Sequence, residues 1–316
     1  MSLRTPILTR RRALTVAAVA AVALPLAACG GGGSDPLAEN SASPGGSGGG
    51  GTVVVGSANF TESQVLGELY AQAMKAKGVN VSTKPGIGSR EVYIKALQDN
   101  SISMIPEYTG NLLLYFDKQA TATTEDEIMQ ALPEAVGSDL KLGEPSPAQD
   151  QDVYVVTKQT SEQSGITSLE DLKKISGDSV LGGPSELEDR AYGPPGLEKI
   201  YGATFKQFKP YDSPAVKVKD LNDNKIQVAT FFTTDAAIPD NGYVMLEDPQ
   251  SMILPQNVIP LMRSDVAGNT AAVDAVDAVS KALTTEELTA LNKSVDVDHV
   301  SASDAAAQWL QSKGLA

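Results

Sequence analysis

One cysteine, Cys29, and one histidine, His299, are all that 316 residues contain of those two types. No disulfide can form within the chain, and a zinc site built from His and Cys cannot reach its usual ligand count. A Ser-His-Asp or Cys-His arrangement would have to recruit His299, which stands among acids in Asp296-Val297-Asp298-His299-Val300 and reads as a solvated loop residue. Aromatic residues are only 5% of the chain, so a site built of rings must draw on few candidates. Bases are scarce as well. The formal charge is −14, and residues 1–28 hold four of the bases (Arg4, Arg10, Arg11, Arg12) and no acid; without them 21 bases face 39 acids, a charge of −18. Such a surface repels nucleic acid and anionic lipid headgroups, which argues against a nucleic-acid partner. No run after residue 28 is long and apolar enough to cross a membrane.

What the chain does have begins with a leader. Residues 1–12 are basic and residues 13–28 are small and apolar, the n-region and h-region of an export signal, too short for a membrane span. The leader ends in Leu26-Ala27-Ala28-Cys29, with the chain's only cysteine at the expected cleavage point. Thr9-Arg10-Arg11-Arg12-Ala13-Leu14 partly matches a twin-arginine signal, and Sec export stays open. Residues 30–51 are Gly, Ser, Pro and a few polar residues, which cannot bury a core. A flexible coil of that length spans roughly 25 Å r.m.s..

From residue 52 the pattern is that of an α/β protein. Residues 52–56 form a β-branched strand, with Thr61 and Gln64 at capping-box spacing behind it. Val65, Leu69, Ala73 and Ala76 mark one face of the next helix. Further strands are expected at residues 79–84 and 101–105, with a helix from Ser89 between them. This β-α-β-α-β rhythm belongs to a parallel sheet with crossover helices. The centre of the pattern is Ile105-Pro106-Glu107-Tyr108-Thr109-Gly110. Pro106 is expected to stop the strand, having no N–H to donate. The carboxylate, ring and hydroxyl behind it stand at the carboxyl end of a strand, where open α/β sheets bind ligands. Residue types alone are equally compatible with a plain strand-to-helix turn.

A second unit comes next. Residues 143–149 contain two prolines and read as a boundary. Strands are expected at residues 152–157, 179–182, 204–208, 225–230 and 243–247. Thr167 and Glu170 would cap a helix through Ile175, and Ser213-Pro214 would open another with proline in its first turn. Glu186 and Arg190 are four apart and, if helical, could pair with each other. Residues 252–262 are apolar with two prolines and read as a crossing back. The helices of residues 269–283, 285–292 and 303–313 would complete the first unit, the middle one capped by Thr284 with Glu287. Two lobes joined by paired crossings make a hinge and a cleft.

Three motifs then carry a family resemblance. Gly56-Ser57-Ala58-Asn59-Phe60-Thr61-Glu62, Pro106-Glu107-Tyr108-Thr109-Gly110 and Phe232-Thr233-Thr234-Asp235, behind a lipobox-like Leu26-Ala27-Ala28-Cys29, resemble signatures of substrate-binding lipoproteins of bacterial osmoprotectant ABC importers. The resemblance implies a two-lobe type II periplasmic-binding-protein fold. It implies a lobe of residues 52–149 and 254–316 and a second lobe of residues 150–253, behind a signal peptide (1–28) and a tether (29–51). It implies diacylglycerol on Cys29, an exported and membrane-anchored monomer, and no cofactor. The partners implied are a small solute of the glycine betaine, choline, carnitine or proline class, and a permease with its ATPase.

By the same resemblance Tyr108 matches a cage tyrosine, Phe232 falls at another cage position and Asn111 at a polar position past the glycine; Asn59, Thr109 and Thr233 are further candidates as polar residues of the strand-end motifs. Glu186 and Arg190 match a Glu and Arg of the second lobe, where an arginine would hold a carboxylate bidentately. The sequence departs from the pattern at three places. Ala58 stands where the family often has lysine, and Val153 and Asn257 stand where it has rings. Tyr93 or Tyr192 could substitute. A neutral or aromatic solute, a ligand-presenting sensor, or an enzyme on the same fold are the alternatives.

Overall fold

The computed structural model describes residues 51–316. The leader, Cys29 and the tether up to Gly50 lie outside the described residues.

Two five-stranded sheets form two α/β lobes. The first contains β1 (Val53–Gly56), β2 (Val81–Lys84), β3 (Met104–Tyr108), β4 (Leu140–Leu142) and β10 (Val258–Arg263), in the order β2-β1-β3-β10-β4. The second contains β5 (Asp152–Val156), β6 (Val180–Gly183), β7 (Gln207–Pro210), β8 (Val228–Phe232) and β9 (Val244–Met245), in the order β7-β6-β8-β5-β9. Both sheets share one plan. Their first three strands are parallel, and the fourth, β10 or β5, runs antiparallel to its neighbours. In each sheet that reversed strand comes directly after a crossing from the other lobe. The two crossings pair with each other: Val258 N–H donates to Ala148 at 3.0 Å, Ser146 N–H to Val258 at 2.8 Å, and Asp150 N–H to Gln256 at 3.1 Å.

Helix α1 (Thr61–Ala76) shows how the first lobe is assembled. Val65, Leu69 and Ala73 are buried, as their spacing predicts, but so are Leu66, Tyr70 and Met74, while Ala76 is exposed. The helix is wedged between the sheet and the C-terminal helices Thr270–Ala282, Thr285–Asp296 and Ala302–Lys313, so more than one face is covered. Val276, Val279, Leu288 and Trp309 close over it. Each such aliphatic side chain contributes about 1.5–3 kcal/mol on burial. On the other face of the sheet pack α2 (Arg90–Gln98), α3 (Thr109–Phe116) and α4 (Glu125–Val136).

Several local expectations are corrected. Strand β3 runs through Pro106 to Tyr108, and Pro106 lies opposite Pro260 of β10. Thr109 N–H donates to Asn257 and Arg263 N–H to Ser103, so alternation along the antiparallel pair leaves the two prolines at a position where neither N–H is needed. Thr61 does not cap α1. Phe60 is the N-cap residue, and the Thr61 hydroxyl donates to Asp296 at 2.6 Å. Ser168 and Asp171, not Thr167 and Glu170, form a capping box, and it opens a 3-10 turn, Leu169–Lys174, rather than an α-helix. The strands expected at residues 204–208 and 225–230 form two to three residues later, as β7 and β8. The capping box of Thr284 with Glu287 and the first-turn Pro214 are found as expected.

Candidate functional site

Residues behind the carboxyl ends of parallel strands in the two lobes meet: Phe60 after β1 faces Phe232 at the end of β8, and Arg190 beyond β6 reaches Glu91 of α2. The loop after β1 brings Phe60, β3 brings Tyr108, and β8 brings Phe232. The Phe60 ring lies 6.2 Å from Tyr108 and 5.3 Å from Phe232, tilted by 33° and 30°. Three rings from two lobes thus form one cluster. Sequence reasoning alone does not select Phe60 as a site residue. Its only signal is its place in the Asn59-Phe60-Thr61-Glu62 motif, one residue before a helix.

Tyr108 is buried, and its hydroxyl donates to Glu62 at 2.6 Å. The other Glu62 oxygen receives the Thr234 hydroxyl at 2.8 Å and the Asn292 amide at 2.5 Å. Thr234 belongs to the second lobe, so this carboxyl ties the lobes together. Beside it is Asp150 on the crossing, which accepts from the Thr234 N–H and the Thr233 hydroxyl, both at 3.1 Å. Burial raises the proton affinity of both acids, and Glu62's charge raises that of Asp150 further.

Asn111 spans the lobes on the other side. Its amide donates to Asp152 at 2.8 Å, and its oxygen accepts from Gln256 at 2.8 Å. Burial likewise raises the proton affinity of Asp152. Asp152 also lines a cavity of about 220 Å³ beside the crossing, with Gln151, Val153, Thr233, Asp248 and Ile253 among its walls. Among the described residues no base forms an ion pair with Glu62, Asp150 or Asp152. Asp152 feels the charges of Arg90, Arg190 and Lys217 without pairing with them, and Arg90 is itself held in a buried bidentate pair with Glu107, at 2.8 Å for both bonds.

The expected site residues divide into those that meet at the cleft and those that do not. Tyr108, Phe232 and Asn111 meet there. Thr109 is buried at the crossing, where its hydroxyl donates to Pro255 and accepts from the Asn257 N–H. Gly110 packs so closely there that a Cβ would sit 2.6 Å from both Leu254 and the Pro255 carbonyl. Thr233 pairs with Gln151 and Asp150. Asn59 is exposed on the loop after β1. Glu186 is half-buried and does not pair with Arg190; Ser185 donates to it at 3.3 Å, on the 3-10 turn Ser185–Asp189. Arg190 instead reaches across the cleft to Glu91 at the start of α2, at 2.7 Å, and its buried Nε has no partner.

Of the possible substitute rings, Tyr93 donates to Glu107 at 2.7 Å inside the first lobe. Tyr192 packs in the second-lobe core with Tyr154, Leu187 and Leu197. Val153 packs with Phe231 and Tyr243, and the Asn257 amide donates to Ser146 on the crossing. His299 is exposed, just past a turn, at φ 59°. Among the described residues no cluster of three or more His, Cys, Asp or Glu is placed to hold a metal ion.

Comparison with known proteins places this geometry. The family described as the substrate binding domain of ABC-type glycine betaine transport system, OpuAC, matches residues 51–312. The glycine betaine-binding protein YehZ of Escherichia coli is 26% identical over 275 residues, covering 82% of this chain and 90% of that protein. The solved structure of apo YehZ matches with a TM-score of 0.59 at 26% identity, over 84% of this chain and all of the other. A structure described as a glycine betaine/carnitine/choline ABC transporter matches with a TM-score of 0.66 at 20% identity, over 83% of this chain and 99% of the other. The chain belongs to the OpuAC family of substrate-binding domains of ABC-type glycine betaine transport systems, and as such is an extracytoplasmic solute-binding transport protein with the two-lobe periplasmic-binding-protein fold.

Proposed function

We propose that this chain captures a quaternary ammonium compatible solute, of the glycine betaine, choline or carnitine class or the related proline, between its lobes and delivers it to an ABC permease. The observation that carries the reading is the ring cluster of Phe60, Tyr108 and Phe232, drawn from both lobes onto one spot. A cation held against ring faces gains roughly 0.5–2 kcal/mol from each. Glu62, Asp150 and Asp152 stand nearby with no base paired to them among the described residues, and the charge that this group of acids retains adds a potential that favours a positive head. Tyr108, Asn111 and Phe232 are the site residues this reading keeps at the solute. Thr109 and Thr233 hold the crossing that supports them, and Arg190 guards the far side.

The lobes of this proposal are residues 52–149 with 254–316 and residues 150–253, a division supported by the membership of the two sheets. Diacylglycerol on Cys29, a monomeric state and a tether of residues 29–51 complete the proposal, holding the lobes near the permease. A second reading, a neutral or aromatic solute, is favoured by Val153 and Asn257, which put no ring at two family cage positions.

Calorimetry on protein stripped of carried-over ligand by denaturation and refolding tests this. Glycine betaine, choline, carnitine and proline would be titrated first, then sugars and aromatic solutes. Micromolar binding of a quaternary ammonium is the expected result. Silence there, with binding of a neutral or aromatic solute, would replace it with the second reading.

A further inference from the structure

Two acids sit at the contact between the lobes, and both are almost completely buried: Glu62 is 4% exposed and Asp150 3%. They come from different parts of the chain, α1 and the first crossing. Both bond to Thr234, one through its hydroxyl and the other through its N–H. Two carboxylates held this close in a low dielectric cannot both stay ionised without a cation. The groups facing them do not include one. Tyr108 and Thr234 face Glu62, and so does Asn292 from the helix Thr285–Asp296. Asp150 feels Glu62 and Asp235, and Asp235 in turn feels Lys217 and Asp296. Lys217 donates to the Thr230 carbonyl and lies over the Phe231 ring, so it is committed elsewhere. The buried Oδ1 of Asn292 has no partner, and rotating its amide presents an acceptor for a proton on Glu62.

We propose that Glu62 and Asp150 are a positioning pair for solute capture, sharing one proton taken from solvent when the lobes close. The proposal rests on the reading of the ring cluster as the solute site. Glu62 holds the Tyr108 hydroxyl and the Thr234 hydroxyl at once, so one carboxyl sets the ring's orientation and joins it to closure. With the proton in place, Glu62 and Asp150 sit side by side and Thr234 bridges them. Without it, two like charges repel across the lobe contact and Thr234 is released.

Opening the lobes wets both acids and returns their pKa toward the ordinary carboxyl range, whereas closure raises it. The closed form therefore binds more protons. Closure is fully supported at low pH and is lost as pH rises through the raised value. Between the ordinary carboxyl value and the raised one the solute Kd should grow by up to about tenfold per pH unit, and it should level off above the raised value.

Two measurements on the full chain test this. The first is a carboxyl 13C NMR titration of the protein with its lobes closed by saturating solute, beside the same titration of the free protein. In the closed form one of the pair should titrate well above the ordinary carboxyl range and above its value in the free protein, and Glu62→Gln should move the closed-form Asp150 titration down. If both acids titrate near or below pH 4.5 in the closed parent, the pair holds no shared proton and the proposal fails. The second is calorimetry with glycine betaine in two buffers of different ionisation heat, across pH 5–9. Net proton uptake approaching one, with a Kd that rises with pH, is expected. Glu62→Gln and Asp150→Asn should each flatten that profile, and a sloped profile kept in both variants would overturn the proposal. If no solute of the class gives heat, the solute assignment fails, and the NMR titration with whichever neutral or aromatic solute closes the lobes still decides the fate of the pair.

Discussion

The rings of Phe60 and Phe232 stand 5.3 Å apart, and they belong to different lobes. Phe60 sits on the loop that leaves β1, and Phe232 ends β8. Tyr108, from β3, lies on the other side of Phe60. A ring in that central place faces a neighbour on each side. Lobe closure and ring assembly are therefore one event.

Replacing Phe60 by alanine should weaken quaternary ammonium binding about 2- to 30-fold, the worth of one ring face. Phe60→Tyr should retain most of it. Calorimetry on the two variants reads this directly, and parental affinity in Phe60→Ala would remove the residue from the solute site.

Tyr108 is buried, so truncation to alanine would also leave a cavity and cost about 3–5 kcal/mol of stability. The cleaner variant is Tyr108→Phe. It keeps the ring and removes only the hydroxyl that donates to Glu62. The expected loss is about 1–3 kcal/mol from the bond to a buried carboxyl, divided between folding and solute affinity. Thermal unfolding with and without solute separates the two. No change in either would mean that the hydroxyl positions nothing.

Arg190 pairs with Glu91 across the cleft, and Glu91 is 45% exposed, so the bridge itself is worth only about 0–1 kcal/mol. Its consequence is for selectivity, because Glu91 competes with any solute carboxylate for the same guanidinium. Glu91→Gln should tighten glycine betaine a few-fold and leave choline unchanged, and Arg190→Ala should weaken glycine betaine more than choline. Equal changes for the two solutes would remove Arg190 from carboxylate recognition.

Arg90 and Glu107 form a pair that is almost wholly buried, with Tyr93 as a third member. Arg90→Ala strands a buried carboxylate and should cost about 3–5 kcal/mol in urea unfolding. Tyr93→Phe removes a single hydrogen bond and should cost about 1–2 kcal/mol. A stability equal to the parent's in Arg90→Ala would show that water replaces the guanidinium at Glu107.

Cys29→Ser removes the sulfur that would carry lipid. The variant should leave the membrane fraction for the soluble one while keeping its solute affinity. Retention on the membrane would mean that something other than Cys29 holds the protein there.

The elements were largely legible because they are local. Runs such as Val53-Val54-Val55 are β-branched and buried, and Thr284 with Glu287 closes a capping box within four residues. The ends of β1, β3 and β8 stand out in the sequence because their polar residues and rings interrupt apolar runs. Where those cues misled, a distant partner was responsible. Pro106 does not end β3 because Pro260, from the far end of the chain, lies opposite it where no N–H is required. Arg190 does not pair with Glu186, four residues away, because the intervening turn is 3-10 and Glu91 approaches from the other lobe.

The amino-acid sequence by itself determined which segments could be strands and helices, the two-lobe order, the acidic surface and the family. These depend on periodicity, composition and short motifs, which act over a few residues. Only the tertiary structure decided which side chains share the cleft. Glu62 finds Tyr108, Thr234 and Asn292 at separations of 46, 172 and 230 residues, and no local pattern encodes such a meeting. It arises from joining two lobes of the same plan through paired crossings, which brings the strand ends, and the charges on them, into one small buried space.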